Sequence, residues 1–206
     1  MHDISFFYSN TAEIRYEIMA LETKRLKIRT LHPDDYQDFL AYAMDSDLCK
    51  MLGWSEMSNE EAVRKHFDRM LRAKNYLAVI HRQDEKMIAH IGLGDVMHIP
   101  SLALALEKDS AMTGKRGCAL SFAVSANYRR QGIILEALVG AMDLLFRNDR
   151  FDYFNCGYLE FNEPSKHLQE KLGFHYYCTH RFRGIPDAPQ IIENILTKEE
   201  FYQKYP

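Results

Sequence analysis

Cysteine is scarce and badly placed for chemistry. Cys49, Cys118, Cys156 and Cys178 form no C-x-x-C pair, so neither a zinc knuckle nor a redox dithiol is encoded, no metal is expected, and most of the thiols read as buried packing residues. No apolar run approaches the ~18 residues of a membrane-spanning helix, which removes the bilayer as a partner. The first residues lack the basic-then-apolar order of a secretory signal, so the expected location is the cytoplasm. Positive charge is not in excess either. With 26 Lys and Arg against 29 Asp and Glu, the net charge is -3 at pH 7, and the chain is not built to coat nucleic acid. Internal repeats and low-complexity tracts are absent. What is there is a chain of 206 residues, 47% of them hydrophobic, enough for a substantial core and for a partner that is small or specific.

The organising stretch is 118–146, CALSFAVSANYRRQGIILEALVGAMDLLF. Residues 120–124 read as a strand, 125–128 as a turn, and Arg129-Arg130-Gln131-Gly132 falls where a helical period begins. A strand, a basic turn and a helix start leave several backbone N–H groups unpaired at the positive end of the helix dipole, which suits a phosphate or pyrophosphate. Ile134, Leu138, Ala141 and Leu145 put one apolar face of the helix on the sheet. Gly132, Glu136 and Gly140 share another face, where glycine permits close approach.

Residues 128–138, YRRQGIILEAL, resemble the acetyl-coenzyme A (acetyl-CoA) pyrophosphate loop and helix of the GCN5-related N-acetyltransferase (GNAT) superfamily, with pattern Gln/Arg-x-x-Gly-x-Gly/Ala. Arg129 and Gly132 match it, and Ile134 stands where Gly or Ala is usual. Asn162-Glu163-Pro164-Ser165 followed by Glu170-Lys171-Leu172-Gly173-Phe174 resembles the signature of the ribosomal-protein (Rim-type) branch. Leu21-Glu22-Thr23-Lys24-Arg25-Leu26 is similar to that branch's opening strand. The resemblance implies an α/β GNAT fold in residues 21–206: one mixed, mostly antiparallel sheet, splayed between two strands and flanked by about four helices, with residues 1–20 as an N-terminal extension. It also implies acetyl-CoA as the acyl donor.

Elsewhere the pattern gives a strand at 26–31 and a helix from Pro33 with Tyr36, Phe39, Leu40 and Ala43 inward. Ser58 and Glu61 predict a capping box for a second helix, with Val63, Phe67, Met70 and Leu71 inward. Trp54, in the segment between these helices, is either a substrate contact or a rim aromatic. Residues 76–80 and 87–93 predict a hairpin, and 96–106 is apolar enough to prolong its second strand. A strand at 153–161 precedes a short helix opened by Asn162 and Pro164 and closed by Gly173. Residues 174–182 and 190–196 form a closing strand pair, followed by a last helical turn or two.

From the resemblance, Phe122, Ala123 and Val124 take the pantetheine arm by backbone, and Arg129, Arg130, Gln131, Gly132, Ile133 and Ile134 take the pyrophosphate. A backbone donor at the splay, meeting charge as it develops on the thioester oxygen, is worth ~10²–10³ in rate. Ser165 is the candidate acid for the leaving thiolate and, three and seven residues before Leu168 and Leu172, should face the cleft. Asn162 positions pantetheine or a water, or caps the helix. Lys166 and Lys171 meet the 3′-phosphate or form a solvated face. Many Rim-type relatives carry a glutamate base where Ala119 stands, and a tyrosine where Gln169 stands, so Glu160 and His90, acting through water, are the remaining candidate bases. The expected activity is transfer of acetyl to a primary amine, a protein N-terminus ahead of a small molecule. A non-catalytic acyl-CoA-binding module is the alternative, and a homodimer stays open.

Overall fold

The computed structural model describes residues 20–54, 57–181 and 188–206. The expected extension at 1–20, apart from Ala20, and most of the turn at 183–189 lie outside them. Eight strands, β1 (Leu21–Glu22), β2 (Leu26–Thr30), β3 (Tyr76–His81), β4 (Lys86–Gly94), β5 (Gly117–Val124), β6 (Tyr153–Leu159), β7 (His175–His180) and β8 (Ile191–Thr197), form one sheet in the order β1-β2-β3-β4-β5-β6-β8-β7. Every neighbouring pair is antiparallel except β5 and β6. Parallel strands need a long crossover, and α5 (Ile133–Arg147) supplies it.

Alternation along β5 assigns the layers. Cys118 and Leu120 point into the main core, where Ile133, Ala137, Leu138, Ala141, Met142, Leu145 and Phe146 of α5 meet Leu172 of α6 (Glu163–Leu172) and Phe201 of α7 (Lys198–Lys204). Ala123 points to the opposite face, under α1 (Tyr36–Ala43), α2 (Ser46–Leu52) and α3 (Glu60–Ala73). Ala119 lies on that face too, under Leu102 and Leu106 of α4 (Pro100–Lys108). Burying the five large apolar side chains of α5, Ile133, Leu138, Met142, Leu145 and Phe146, at ~1.5–3 kcal/mol each is what fixes that helix to the sheet.

The four flanking helices expected, α1, α3, α5 and α6, are joined among the described residues by α2, α4 and α7. Residues 96–106 do not prolong β4. Pro100 cannot donate to a ladder but is at home in a first helical turn, and Leu102, Ala103 and Leu106 bury one face of α4. The cap of α3 is Asn59, whose side chain accepts from the Ala62 N–H at 2.9 Å, not Ser58. β6 ends at Leu159, two residues sooner than the sequence suggests, so Glu160 and Phe161 lie in the turn before α6.

Candidate active site

β5 is bonded differently along its two edges. Against β4 it is in register from Ala119 opposite Gly94 to Val124 opposite Ala89. Against β6 the pairing runs only from Gly117 opposite Tyr153 to Leu120 opposite Cys156, although both strands continue. The sheet therefore splays beside residues 121–124. The Ser125 N–H bonds the Ile88 carbonyl at 2.8 Å, and antiparallel alternation then turns Ala123 and Ser121 to β4, and the N–H and C=O of Phe122 and Val124 to the gap. Of the three backbone candidates, Phe122 and Val124 face the opening and Ala123 is committed to His90 across the ladder.

At the end of β5 the chain makes a 3-10 turn, Ala126–Tyr128, and enters α5 through two left-handed residues, Arg130 at φ 59° and Gly132 at φ 73°. The first intrahelical bond runs from the Glu136 N–H to the Gly132 carbonyl at 3.0 Å, which leaves the N–H groups of Ile133, Ile134 and Leu135 ahead of it. Ile133 is buried and Ile134 is half-buried against the main core, so the branched side chain at the unusual position packs inward. Arg130 and Gln131 are exposed, with the Gln131 amide donating to the Asn127 carbonyl at 2.7 Å.

The loop is braced from three sides. Arg25 donates from Nε to Glu136 at 2.7 Å and from Nη1 to the Gln131 carbonyl at 2.9 Å, and Thr23 Oγ1 and the Arg25 N–H bond the same carboxylate. Burial alone would raise the Glu136 pKa, but these bonds outweigh it and hold the carboxyl below its ordinary range. Tyr128 donates to Asp84, which His81 also meets, tying the loop to the β3–β4 turn. Arg129 lies 3.1 Å from Asp45, the cap of α2, and also reaches the Val124 carbonyl at 3.4 Å. The opening-strand motif contains Thr23 and Arg25, yet only the fold reveals that they grip α5. The Arg129–Asp45 pair has no local signature in the sequence.

Across the gap, Asn162 uses both ends of its amide within the protein. Its Oδ1 accepts from the Ser165 N–H at 3.1 Å and its Nδ2 donates to the Met51 carbonyl of α2 at 3.0 Å. Helix α2 is thus tied to both banks of the splay. Ser165 is half-buried in the first turn of α6, and its Oγ accepts from Gln169 Nε2 at 3.1 Å. Lys166 lies 3.6 Å from Glu163 and Lys171 is exposed.

The two candidate bases sit in opposite environments. His90 is buried opposite Ala123, bonded through Nδ1 to the Tyr42 hydroxyl at 2.9 Å and stacked on Trp54, with Phe39, Tyr42 and Tyr76 around it. Burial, with the charge of His66 adding to it, pushes its pKa down to about 3. Glu160 is exposed in the turn after β6, where its Oε1 accepts from the Gln190 N–H at 3.1 Å. Trp54 is half-buried and packed on the α1–α3 core as well as on His90. Among the described residues no group of three or more His, Cys, Asp or Glu could hold a metal, and no helix is long and apolar enough to cross a membrane.

The acetyltransferase (GNAT) domain family matches residues 25–175 of this chain. The chain belongs to the GNAT acetyltransferase family. This GNAT protein is similar to an acetyltransferase of the family from Bacillus anthracis, with 18% identity, coverage of 88% of this chain and 99% of that one, and a TM-score of 0.70. It is similar to the ribosomal-protein-S5-alanine acetyltransferase of Vibrio fischeri, with 14% identity, 89% and 99% coverage and a TM-score of 0.65. A third similar structure is the microcin C7 self-immunity acetyltransferase MccE in complex with acetyl-CoA and AMP, with 10% identity, 85% and 93% coverage and a TM-score of 0.65. No curated protein matches the chain. Family membership supports acetyl transfer from an acyl-CoA donor, and the open sheet of eight strands is the GNAT fold.

Proposed function

We propose that this GNAT protein acetylates a primary amine, a protein N-terminal α-amine ahead of a small-molecule amine. The observation that carries the reading is the unpaired edge of β5 at Phe122 and Val124, continuous with the left-handed turn at Arg130 and Gly132. A coenzyme A arm has amides for the first and a pyrophosphate for the second. The acetyl-CoA in the MccE structure is consistent with this choice of donor. The Asn162-to-Phe174 signature and the likeness to the S5-alanine acetyltransferase favour the protein acceptor.

In this reading, Phe122 and Val124 hold the arm, and Arg130, Gln131, Gly132 and the first N–H groups of α5 hold the pyrophosphate, with Ala123 and Ile134 acting as packing behind them. Arg129 joins the phosphate site when it leaves Asp45. Asn162 shapes the bank by capping α6 and tethering α2. Lys166 approaches the 3′-phosphate from the first turn of α6. Ser165 protonates the leaving sulfur. Glu160, reached by solvent, takes the amine proton, whereas His90 would hold a proton only near pH 3 and serves as a neutral wall.

One observation favours a second reading, a non-catalytic acyl-CoA-binding module: Ala119 is buried under α4 where relatives carry a carboxylate. Thiol release from acetyl-CoA, measured with peptides of free N-terminus and a panel of small amines beside calorimetric binding, separates the two. Turnover on a peptide N-terminus is the expected result, and tight binding with no turnover on any amine would establish the module.

A further inference from the structure

Resting on the reading of Ser165 as the acid, we propose that Gln169 is a positioning residue that keeps the Ser165 proton pointed at the leaving sulfur. In the sequence, Gln169 stands out only as a departure, glutamine where relatives carry tyrosine. In the structure it is fully buried and its amide is held at both ends. Asn194 of β8, itself buried, donates from Nδ2 to Gln169 Oε1 at 2.9 Å. That bond turns the other end of the amide towards α6's first turn, where Nε2 meets Ser165 Oγ at 3.1 Å.

The chemistry of the two groups does the rest. An amide NH₂ only donates, and a hydroxyl has one proton and two lone pairs. Ser165 must therefore accept from Gln169, and its single proton is directed elsewhere. The Ser165 backbone N–H is already given to Asn162, which holds the residue at the bank of the splay. Gln169 is fully buried, so its own amide has no solvent with which to exchange partners. The chain from Asn194 through Gln169 to Ser165 polarises in one direction, and each donor strengthens the next.

The proton balance follows. As the N–C bond forms and the C–S bond breaks, the amine nitrogen loses a proton and the sulfur must gain one. Ser165 gives its proton to sulfur, Glu160 takes the one released by the nitrogen, and solvent carries a proton back to Ser165. A serine whose proton was instead spent on residue 169 could not make the first move.

Gln169→Glu tests this by reversing the bond, because an ionised carboxylate there accepts from Ser165 and captures the proton. The expected result is a kcat lower by about tenfold or more, up to the ~10²–10⁴ a proton transfer can contribute, with acetyl-CoA Kd unchanged within about twofold. The ratio of variant to wild-type kcat should then rise as pH falls, since the introduced carboxyl can donate again once it is protonated. Gln169→Met, which removes the donor to Ser165 together with the acceptor of Asn194 but offers no carboxylate to capture the proton, should lower kcat less and give a ratio flat in pH. A Gln169→Glu kcat equal to wild type, or a loss whose ratio is flat in pH, overturns the proposal. Should Gln169→Glu fail to fold, Gln169→Met decides alone: a lower kcat with unchanged Kd supports the proposal and an unchanged kcat overturns it. Ser165→Ala separates the two levels. If it leaves kcat intact, the acid reading falls and this inference falls with it. If it lowers kcat while Gln169→Glu does not, only the positioning role is lost.

Discussion

The edge of β5 that faces β4 and the edge that faces β6 belong to the same eight residues and behave oppositely. Towards β4 the ladder continues to Val124, and the neighbouring side chains bury a histidine among aromatic rings. Towards β6 the ladder stops at Leu120, and Phe122 and Val124 have no strand partner on that side, where only the Val124 carbonyl is met, by Arg129. One edge stores stability and the other gives up strand pairing for an opening. The brace around that opening, Arg25 to Glu136, Tyr128 to Asp84 and Asn162 to Met51, holds its rim without closing it.

Gly132→Asp breaks the open side most severely. A side chain at φ 73° costs about 1–2 kcal/mol, yet space exists, since the nearest atom to an added Cβ is Arg25 Nη2 at 3.7 Å. The protein should fold while a carboxylate at the helix start repels the pyrophosphate, raising acetyl-CoA Kd about 100-fold, or ~2.7 kcal/mol. Calorimetry with a thermal melt checks this, and an unchanged Kd removes the loop from the cofactor site.

The closed side should show itself in acid. His90 is held near 3 against an ordinary 6.5, so the unfolded chain takes up a proton there that the native protein refuses. Its contribution is complete above pH 6.5 and is lost as pH falls towards 3, at about 1.4 kcal/mol per pH unit from this residue. Urea unfolding across that range, compared with His90→Gln, should give the variant the shallower slope. Equal slopes would mean that His90 is not what makes the closed side acid-sensitive.

The smallest effect concerns the link between the banks. Asp45→Asn keeps an acceptor to cap α2 but removes the charge that holds Arg129. Acetyl-CoA should then bind about two- to fivefold tighter at low ionic strength, with the gain fading in salt, as expected for a half-exposed ion pair. Weaker binding would mean that Arg129 serves the loop best where it is.

These regions were unequally legible in the sequence. The strand, basic turn and glycine-led helix at 118–146 could be read because each is a local device, and the left-handed Gly132 is what such a turn requires. Asn162 and Gly173, which open and close α6, were legible for the same reason. Where β6 leaves β5 was expected from resemblance alone, because release of a strand is set by the elements packed on each side and not by the residues that part. The apolar run at 96–106 suits strand and helix alike, and only Pro100 argued for the helix it forms. Asp45 and Arg129, or Gln169 and Asn194, meet across distances in sequence that no periodicity reports.

Amide exchange followed residue by residue by NMR, with and without acetyl-CoA, tests the open edge most directly. In the free protein Phe122 and Val124 should exchange fast while Ser121 and Ala123 are protected, and acetyl-CoA should slow the first pair. Slow exchange of Phe122 and Val124 before any ligand is added, or no change on adding it, would contradict an edge kept open for the acyl donor.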